Sequence, residues 1–487
     1  MAVIIGIDFG TSYSAVSFVY GGQAVLLAPG EEQNAQQIPT VLTVHNGKKS
    51  VGSRALRIAR RSVSGDSVRM IKRQYRRPQD WTLGGESFSS QDVVTEIMGY
   101  LIQGAQESLR EQYRVTDEEL RAVICKPVRY GQRWVQMLEQ ALQERGIGVE
   151  AVLTEPEAAA YHCLRRETDV KAGELVLVFD LGGGTCDVAL VERTNQPSQP
   201  FAVLTQAYEP LGGVDWDERM QDILGEQIVQ ALDGLEEKTR MQVERHLQSA
   251  DFQELAREMK ENLTKQDEWE EEIEIKDHLF HVTVSREEFE RRTRNLLERA
   301  MQAAVRVVSE RGGKQLNHIL LVGGGSRMPQ IRSCMSELFP DSEIRLSEPE
   351  VSVAMGAAEF GLRPGLMLRK ATHSYGIGFV SSNGKMVCNQ LYKGDPLPAQ
   401  GESVWSIRKG IVVFDVYEGE AERGEEVVPV GQTEWVMQVR CRVPGDAGKV
   451  KSHQVLSLEQ DGQLRVSVQT EGEDGSVRQA ATFVVRN

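Results

Sequence analysis

The sequence predicts an α/β domain of two similar lobes followed by an all-β sandwich, and three observations predict it. A strand–turn–strand unit occurs twice, as IIGIDFGTSYSAVSFV over 4–19 and as LVLVFDLGGGTCDVALV over 175–191. The repeat places Asp8 and Asp180 about one domain length apart, the signature of a duplicated lobe facing its copy across a cleft. Strands that stop at Pro or Gly are followed by helical spacing, the pattern of α/β layers. After Gly361 the texture changes to short Val-rich runs separated by Gly turns, which reads as a sandwich of about 115 residues.

The elements follow in order. After 4–19, residues 122–127 form a strand stopped by Pro127, and 133–146 carry helical spacing with a terminal glycine. The second unit spans 175–191. Residues 217–232 and 248–264 read as helices and 270–275 with 279–284 as an alternating hairpin, together an appended subdomain over about 215–300. A buried strand at 319–325 ends in Gly323-Gly324-Gly325, and Pro329 opens a helix running towards Phe339. The segment LRPGLMLRKAT at 362–372 suits a linker. Strands are then expected at 375–380, 404–407, 411–417, 434–443, 454–458, 464–470 and 480–485. The domain division is 1–361, linker 362–374, and sandwich 375–487.

A chain of 487 residues suits about three structural units. Its 56 Lys and Arg against 71 Asp and Glu give a net charge of −15, which argues against a nucleic-acid footprint. The six cysteines are scattered with no C-x-x-C, so reduced thiols are expected rather than a disulfide framework or a zinc ribbon. No basic leader opens the chain and no run of ~18 apolar residues occurs, so a cytoplasmic protein without membrane partners is expected.

The chemistry sits in the glycine turns. Asp8-Phe9-Gly10-Thr11-Ser12-Tyr13 and Asp180-Leu181-Gly182-Gly183-Gly184-Thr185 present consecutive backbone N–H groups that form concavities for phosphate oxygens. Asp8, Asp180 and Asp187 supply carboxylates suited to a hydrated Mg²⁺, which keeps several waters and takes few protein ligands. No G-x-x-x-x-G-K-[ST] occurs, so this is not a P-loop enzyme. His278 and His281 fall three apart in an alternating segment and so on opposite faces, which disfavours a metal pair. The acidic run at 267–272 reads as a solvated face, and Arg57 to Arg61 with Arg73, Arg76 and Arg77 as a small basic patch.

With these motifs in this order the chain resembles the seventy-kilodalton heat-shock chaperone family of the DnaK type, from Ile4 to about Gly361 and more weakly to the C-terminus. The resemblance implies an actin-like ATPase domain followed by the all-β sandwich. It also implies ATP and ADP with Mg²⁺ and potassium as ligands. Gly10, Thr11, Ser12 and Tyr13 match the first phosphate motif, with Ser12 in place of a Thr, and Gly182, Gly183, Gly184 and Thr185 the second. Thr11 and Thr185 would contact the γ-phosphate, while Asp8, Asp180 and Asp187 organise metal and water. Val68 to Arg73 resembles the segment of the catalytic lysine, which makes Lys72 the contact to γ-phosphate and attacking water. Glu155, in TEPEAAA, would organise the metal shell, and Pro127 with Arg133 would relay nucleotide state between domains. Gly212 and Gly213 match the turn that opens the mobile subdomain, with Val214 replacing an acid. Lys260 and Thr264 match the adenosine helix, Gly323, Gly324, Gly325 and Arg327 the adenosine motif, and Glu350 the segment that closes the domain.

The departures are specific. Glu261 stands where many members carry an adenine-stacking Arg, Gly325 replaces a Ser, and the linker, Leu366-Met367-Leu368-Arg369-Lys370, exchanges its acid for a base. In the sandwich, Ile377, Phe379, Val412 and Phe414 match the peptide groove. The helical lid that follows the sandwich in relatives is expected to be missing. The family reading implies extended apolar polypeptides as clients, with a J-domain co-chaperone and a nucleotide exchange factor as partners. An ATP-binding regulator or scaffold with a dedicated partner is the alternative.

Overall fold

The structure is a computed structural model that describes residues 2–484 except 33–34, 62–65, 76–78, 117–118, 167–168, 233–235, 276–277, 409, 444–448 and 472–476. Arg76 and Arg77 of the basic patch, and the last residue of the strand expected at 480–485, lie outside the described residues.

The internal repeat is a repeat of topology. In the first sheet the strand Val3–Asp8 pairs in parallel with Leu120–Lys126 and antiparallel with Tyr13–Tyr20. Gly148–Thr154 and Gln23–Leu27 lie outside these neighbours. In the second sheet Leu175–Leu181 pairs in parallel with Leu316–Val322 and antiparallel with Cys186–Arg193. Glu343–Leu346 and Phe201–Glu209 occupy the matching outer places. The strand that ends in Asp8 or Asp180 is therefore central in each sheet. Its neighbours bury it on both sides, which is why both runs are almost purely apolar.

Two helices join the sheets. Ser352–Leu362 packs on the first sheet, where Ser17 Oγ donates to the Ala354 carbonyl at 2.9 Å, and Glu155–Arg166 packs on the second. Their mutual approach is close enough that a Cβ on Gly356 would stand 1.8 Å from the Ala158 carbonyl. The alanines at 158–160 and at 357–358, all fully buried, allow that contact. One apolar cluster runs through this pair from Val123 and Leu153 to Val176 and Leu320, so the lobes share a core at their junction.

The expected helices at 217–232 and 248–264 are Gly213–Gln230 and Ala250–Asn262, with Glu237–His246 between them. The hairpin is Glu268–Ile275 with His278–Ser285, and Ile273, Phe280, Val282 and Val284 bury its inner face. The long helices Ser90–Glu111 and Arg286–Ser309 back the two sheets; the first starts at a capping box of Ser89 with Asp92.

The C-terminal part is a sandwich of a five-stranded and a four-stranded sheet. Gly384–Leu391 is a strand that the sequence reading left out. Buried amides hide its pattern: Asn389 and Gln390 sit inside, and Asn389 Nδ2 donates to the Glu425 carbonyl at 2.8 Å.

The segment expected as a linker is ordered structure. Helix Ser352–Leu362 runs into its start, and Met367–Leu368 adds to the edge of the second sheet beside Phe201 and Ala202. Arg369, 5% exposed, then enters the interior. Its guanidinium donates to Glu157 Oε2 at 2.9 Å, to the Val152 carbonyl at 2.7 Å and to the Gln460 carbonyl at 2.9 Å. The sandwich docks alongside: Val152 N–H donates to the Asp461 carbonyl at 2.8 Å, and Gln460 Nε2 to the Met367 carbonyl at 2.8 Å.

Candidate functional site

The two central strands end at one cavity of about 510 Å³ between the lobes. The glycine turns face each other across its floor. A Cβ on Gly184 would stand 2.3 Å from Thr11 Oγ1, and one on Gly183 2.6 Å from Ser12 Oγ, so only glycine lets the cradles abut. The third turn closes against them: Gly323 has φ +76°, and a Cβ there would meet Asp180 Oδ1 at 2.4 Å.

The structure gathers the residues named from sequence. Asp8, Gly10, Thr11, Ser12, Tyr13, Lys72, Glu155, Asp180, Gly182, Gly183, Gly184, Thr185, Gly213, Lys260, Thr264, Gly323, Gly324, Gly325, Arg327 and Glu350 all line this cavity. Gly212 and Asp187 lie behind the lining. Gly212 backs the second cradle, where its Cβ would touch Gly184 N at 2.5 Å, and Asp187 is buried beyond Thr185.

At the end of the cavity where Asp8 and Asp180 lie, Lys72, 2% exposed, donates to Glu155 Oε1 in a buried ion pair. Burial pushes the Lys72 ammonium down, but Glu155 and Asp8 together outweigh it and hold the group above its ordinary value. The carboxylates move the other way. Burial raises Asp8, with Lys72 opposing and Glu155 adding to it, and burial followed by Glu155, Asp187 and Asp8 holds Asp180 well above the carboxylate range. Asp187 is likewise raised by burial and Glu155; its Oδ1 accepts from Val128 N–H at 2.6 Å, while Oδ2 is buried without a partner among the described residues. Four carboxylates against one lysine leave a site short of positive charge. That donor set fits Mg²⁺. No three His, Cys, Asp or Glu side chains among the described residues converge tightly enough to hold a metal directly.

At the far end of the cavity Arg327 pairs with Glu350, with Nη2 to Oε2 at 2.9 Å, and Lys260 pairs with Asp217 at 2.6 Å. Glu261 lines the cavity with a half-exposed side chain. Arg257, singled out from sequence only as an Arg standing where relatives of the resembled family carry Glu, lines the cavity. It donates to the Tyr13 hydroxyl, lies 5.1 Å from that ring centroid, and pairs with Glu254. It also walls a second cavity of about 280 Å³ that shares Thr11, Ser12 and Tyr13 with the first. Arg69 to Glu254 and Arg73 to Asp215, both at 2.9 Å, span the same cleft from lobe to lobe. Contacts between residues more than 140 positions apart leave no local pattern to read.

The relay residues divide. Pro127 is buried, and the loop it opens reaches both ways: Val128 N–H holds Asp187, and Gln132 N–H donates to Glu418 Oε1 of the sandwich at 2.7 Å. Arg133 is exposed on the helix Gln132–Gln143, so the contact to the sandwich falls one residue before the position named from sequence. Of the groove residues, Ile377 is 3% exposed inside the sandwich core, Val412 and Phe414 pack against that core, and Phe379 meets Trp405 with ring centroids 5.6 Å apart. Ile377 pairs with Val416, which sets Ile377, Phe379, Val412 and Phe414 on one face of the five-stranded sheet.

Comparison with protein families matches residues 78–475 to the family described as Hsp70 protein. The chain belongs to the Hsp70 family. Among curated proteins, Chaperone protein DnaK of Mycoplasma mycoides subsp. mycoides SC is 27% identical over 501 aligned positions, which cover 99% of this chain and 80% of that protein. Hsp70 proteins are chaperones and ATPases, so the cavity between the repeated turns is the place to look for nucleotide chemistry in this member. Among the described residues no helix is long and apolar enough to cross a membrane.

Proposed function

We propose that this Hsp70 protein is an ATP-dependent chaperone of the DnaK type, which hydrolyses ATP between its two actin-like lobes and uses that reaction to bind and release extended apolar peptide segments. The observation that carries the reading is the five-residue loop 127–131. It hands one N–H to Asp187 at the phosphate end, and the helix it leads into hands another to Glu418 of the sandwich.

In this reading residues 1–361 form the nucleotide-binding domain, 362–374 the linker and 375–487 the peptide-binding sandwich. Backbone N–H groups of Gly10 to Tyr13 and Gly183 to Thr185 bind the phosphate chain, the Gly182 N–H closing the second turn on the Thr185 carbonyl at 2.9 Å, and Thr11 and Thr185 fix its terminal group. Mg²⁺, with potassium beside it, would be held through water by Asp8, Asp180 and Asp187, and supplies charge neutralisation for phosphoryl transfer. Lys72 binds the outgoing phosphoryl and orients the attacking water, and Glu155 holds Lys72 in place and charged. Thr264, Lys260 and Arg327 bind the nucleoside. Pro127 anchors the relay loop.

Coupling rests on differential contact, because a ligand shifts an equilibrium only by binding one state better. The state described here has the linker paired and Arg369 sealed on Glu157, so nucleotide that favours the Asp187–Val128 contact favours docking. Six free cysteines suit a reducing, cytoplasmic setting. A J-domain co-chaperone and an exchange factor complete the cycle. The direct test is phosphate release from wild type and Lys72→Ala with Mg²⁺ present. Wild-type turnover in the variant would reject the assignment.

A second reading, an ATP-binding regulator or scaffold with one dedicated partner, is favoured by the groove face itself. Ile377 is 3% exposed and Val412 and Phe414 pack on the core, which leaves a client less apolar surface to bury. Failure of apolar peptides to bind, with hydrolysis intact, would select it.

A further inference from the structure

The segment 347–351 forms the rim of the nucleoside end of the cavity; Ser347 N–H donates to the Leu321 carbonyl at 3.3 Å, and three contacts tie the segment to the cavity lining. The Pro349 carbonyl accepts from Gly323 N–H at 2.7 Å, Glu350 pairs with Arg327, and the Glu350 carbonyl accepts from Gln37 Nε2 at 2.5 Å. The segment turns through Glu348, whose φ of +35° is a conformation that side-chain-bearing residues seldom adopt. Its carbonyl accepts from the N–H groups of Val351 and Ser352, both at 3.1 Å, and its side chain is gripped from outside the cavity.

A buried histidine supplies that grip on the side chain. His162, on helix Glu155–Arg166, is 0% exposed, and its Nε2 lies 2.6 Å from Glu348 Oε2. Its Nδ1 lies 3.3 Å from Glu359 Oε2, and Arg166 reaches the same Glu348 oxygen at 3.1 Å. Arg165 stands 3.7 Å from Glu359. Both ring nitrogens therefore face carboxylate oxygens. Neither His162 nor Glu348 lines the cavity.

We infer that His162 is a positioning residue for nucleotide affinity: by holding Glu348 in its strained turn it sets Pro349 and Glu350 against Gly323 and Arg327, and so shapes the nucleoside end of the site from behind. This rests on the cavity being the nucleotide site. The same helix carries Glu155 at the phosphate end, so one rigid element braces both ends of the nucleotide while His162 acts on affinity alone.

The test is a fluorescent adenine nucleotide titrated into wild type, Glu348→Ala, Glu359→Gln, His162→Ala and the His162→Ala, Glu348→Ala double variant, with single-turnover hydrolysis at saturating ATP. Glu348 is half-exposed, so its truncation spares the fold even where loss of His162 leaves Glu359 buried and unpaired. Loss of a charge-assisted contact predicts a Kd about tenfold higher for Glu348→Ala with the single-turnover rate unchanged. The double variant should lose less affinity than the two single losses combined, because both changes cut the His162–Glu348 contact and only Glu348→Ala also removes that of Arg166. Glu359→Gln, on the side away from the rim, should bind as wild type. Wild-type affinity in Glu348→Ala, or strict additivity in the double variant, would overturn the inference while leaving the nucleotide reading standing. Absence of binding by wild type would overturn both.

Discussion

Lys72 and Glu155 form a buried pair with side chains 3% and 9% exposed, and they carry the chemistry assigned to the phosphate end. Removing the ammonium by Lys72→Ala takes away the group proposed to stabilise charge on the phosphoryl, and a lost electrostatic contact of this kind lowers kcat by about a hundredfold or more. Phosphate release at saturating ATP measures it, and circular dichroism verifies that the fold persists. Glu261 gives the opposite case, a residue whose replacement should improve the site. A carboxylate beside the nucleobase offers no cation–π stack, so Glu261→Arg should tighten adenine-nucleotide binding by roughly threefold to thirtyfold. Equilibrium titration of a labelled nucleotide tests that, and unchanged or weaker binding would place the base elsewhere.

Among the elements, the linker strand shows most plainly how a sequence departure is accommodated. Its basic residue reads as an obstacle to docking until Glu157 is found opposite, 212 positions away and fully buried. Breaking one side of a buried ion pair costs ~3–5 kcal/mol because it strands the other charge. Arg369→Ala should therefore release the linker, seen as faster cleavage near 366–372 in limited proteolysis, while exchange of the pair to Arg369→Glu with Glu157→Arg should recover part of the protection. Equal cleavage of wild type and Arg369→Ala would contradict the latch. The cradles proposed to hold phosphate were legible because a glycine turn between strands is a local pattern, and its duplication marks it. The ion pairs Arg369 to Glu157 and Arg69 to Glu254, the amide of Gln132 on Glu418, and the strand with buried Asn389 and Gln390 were not, because each depends on a partner the chain brings in from far away.

Across the whole molecule, lobes, linker and sandwich meet around one lysine. Lys126 Nζ donates to the Tyr130 carbonyl at 2.6 Å, with the Thr372 hydroxyl of the linker at 3.4 Å. Burial pushes its pKa down to about 8, against the pull of Glu418 and Glu157. Undocking returns the amine to water and to an ordinary value near ~10.4. The docked state therefore holds its proton less tightly, so protonation disfavours docking below about pH 8, and docking strengthens as pH rises from there towards ~10. Small-angle scattering at pH 7 and pH 9.5 should give the more compact molecule at the higher pH, and Lys126→Met should remove the difference. An unchanged radius of gyration in wild type would show that Lys126 stays equally buried in both states.

The central claim is that the cavity and the sandwich are coupled, and fluorescence anisotropy of a labelled, extended apolar peptide, with and without ATP and Mg²⁺, tests it most directly. The account predicts that the peptide binds to the nucleotide-free protein and that ATP with Mg²⁺ speeds its release. Anisotropy that never rises, or that rises and ignores nucleotide while phosphate is still released, would contradict it and leave the dedicated regulator in its place.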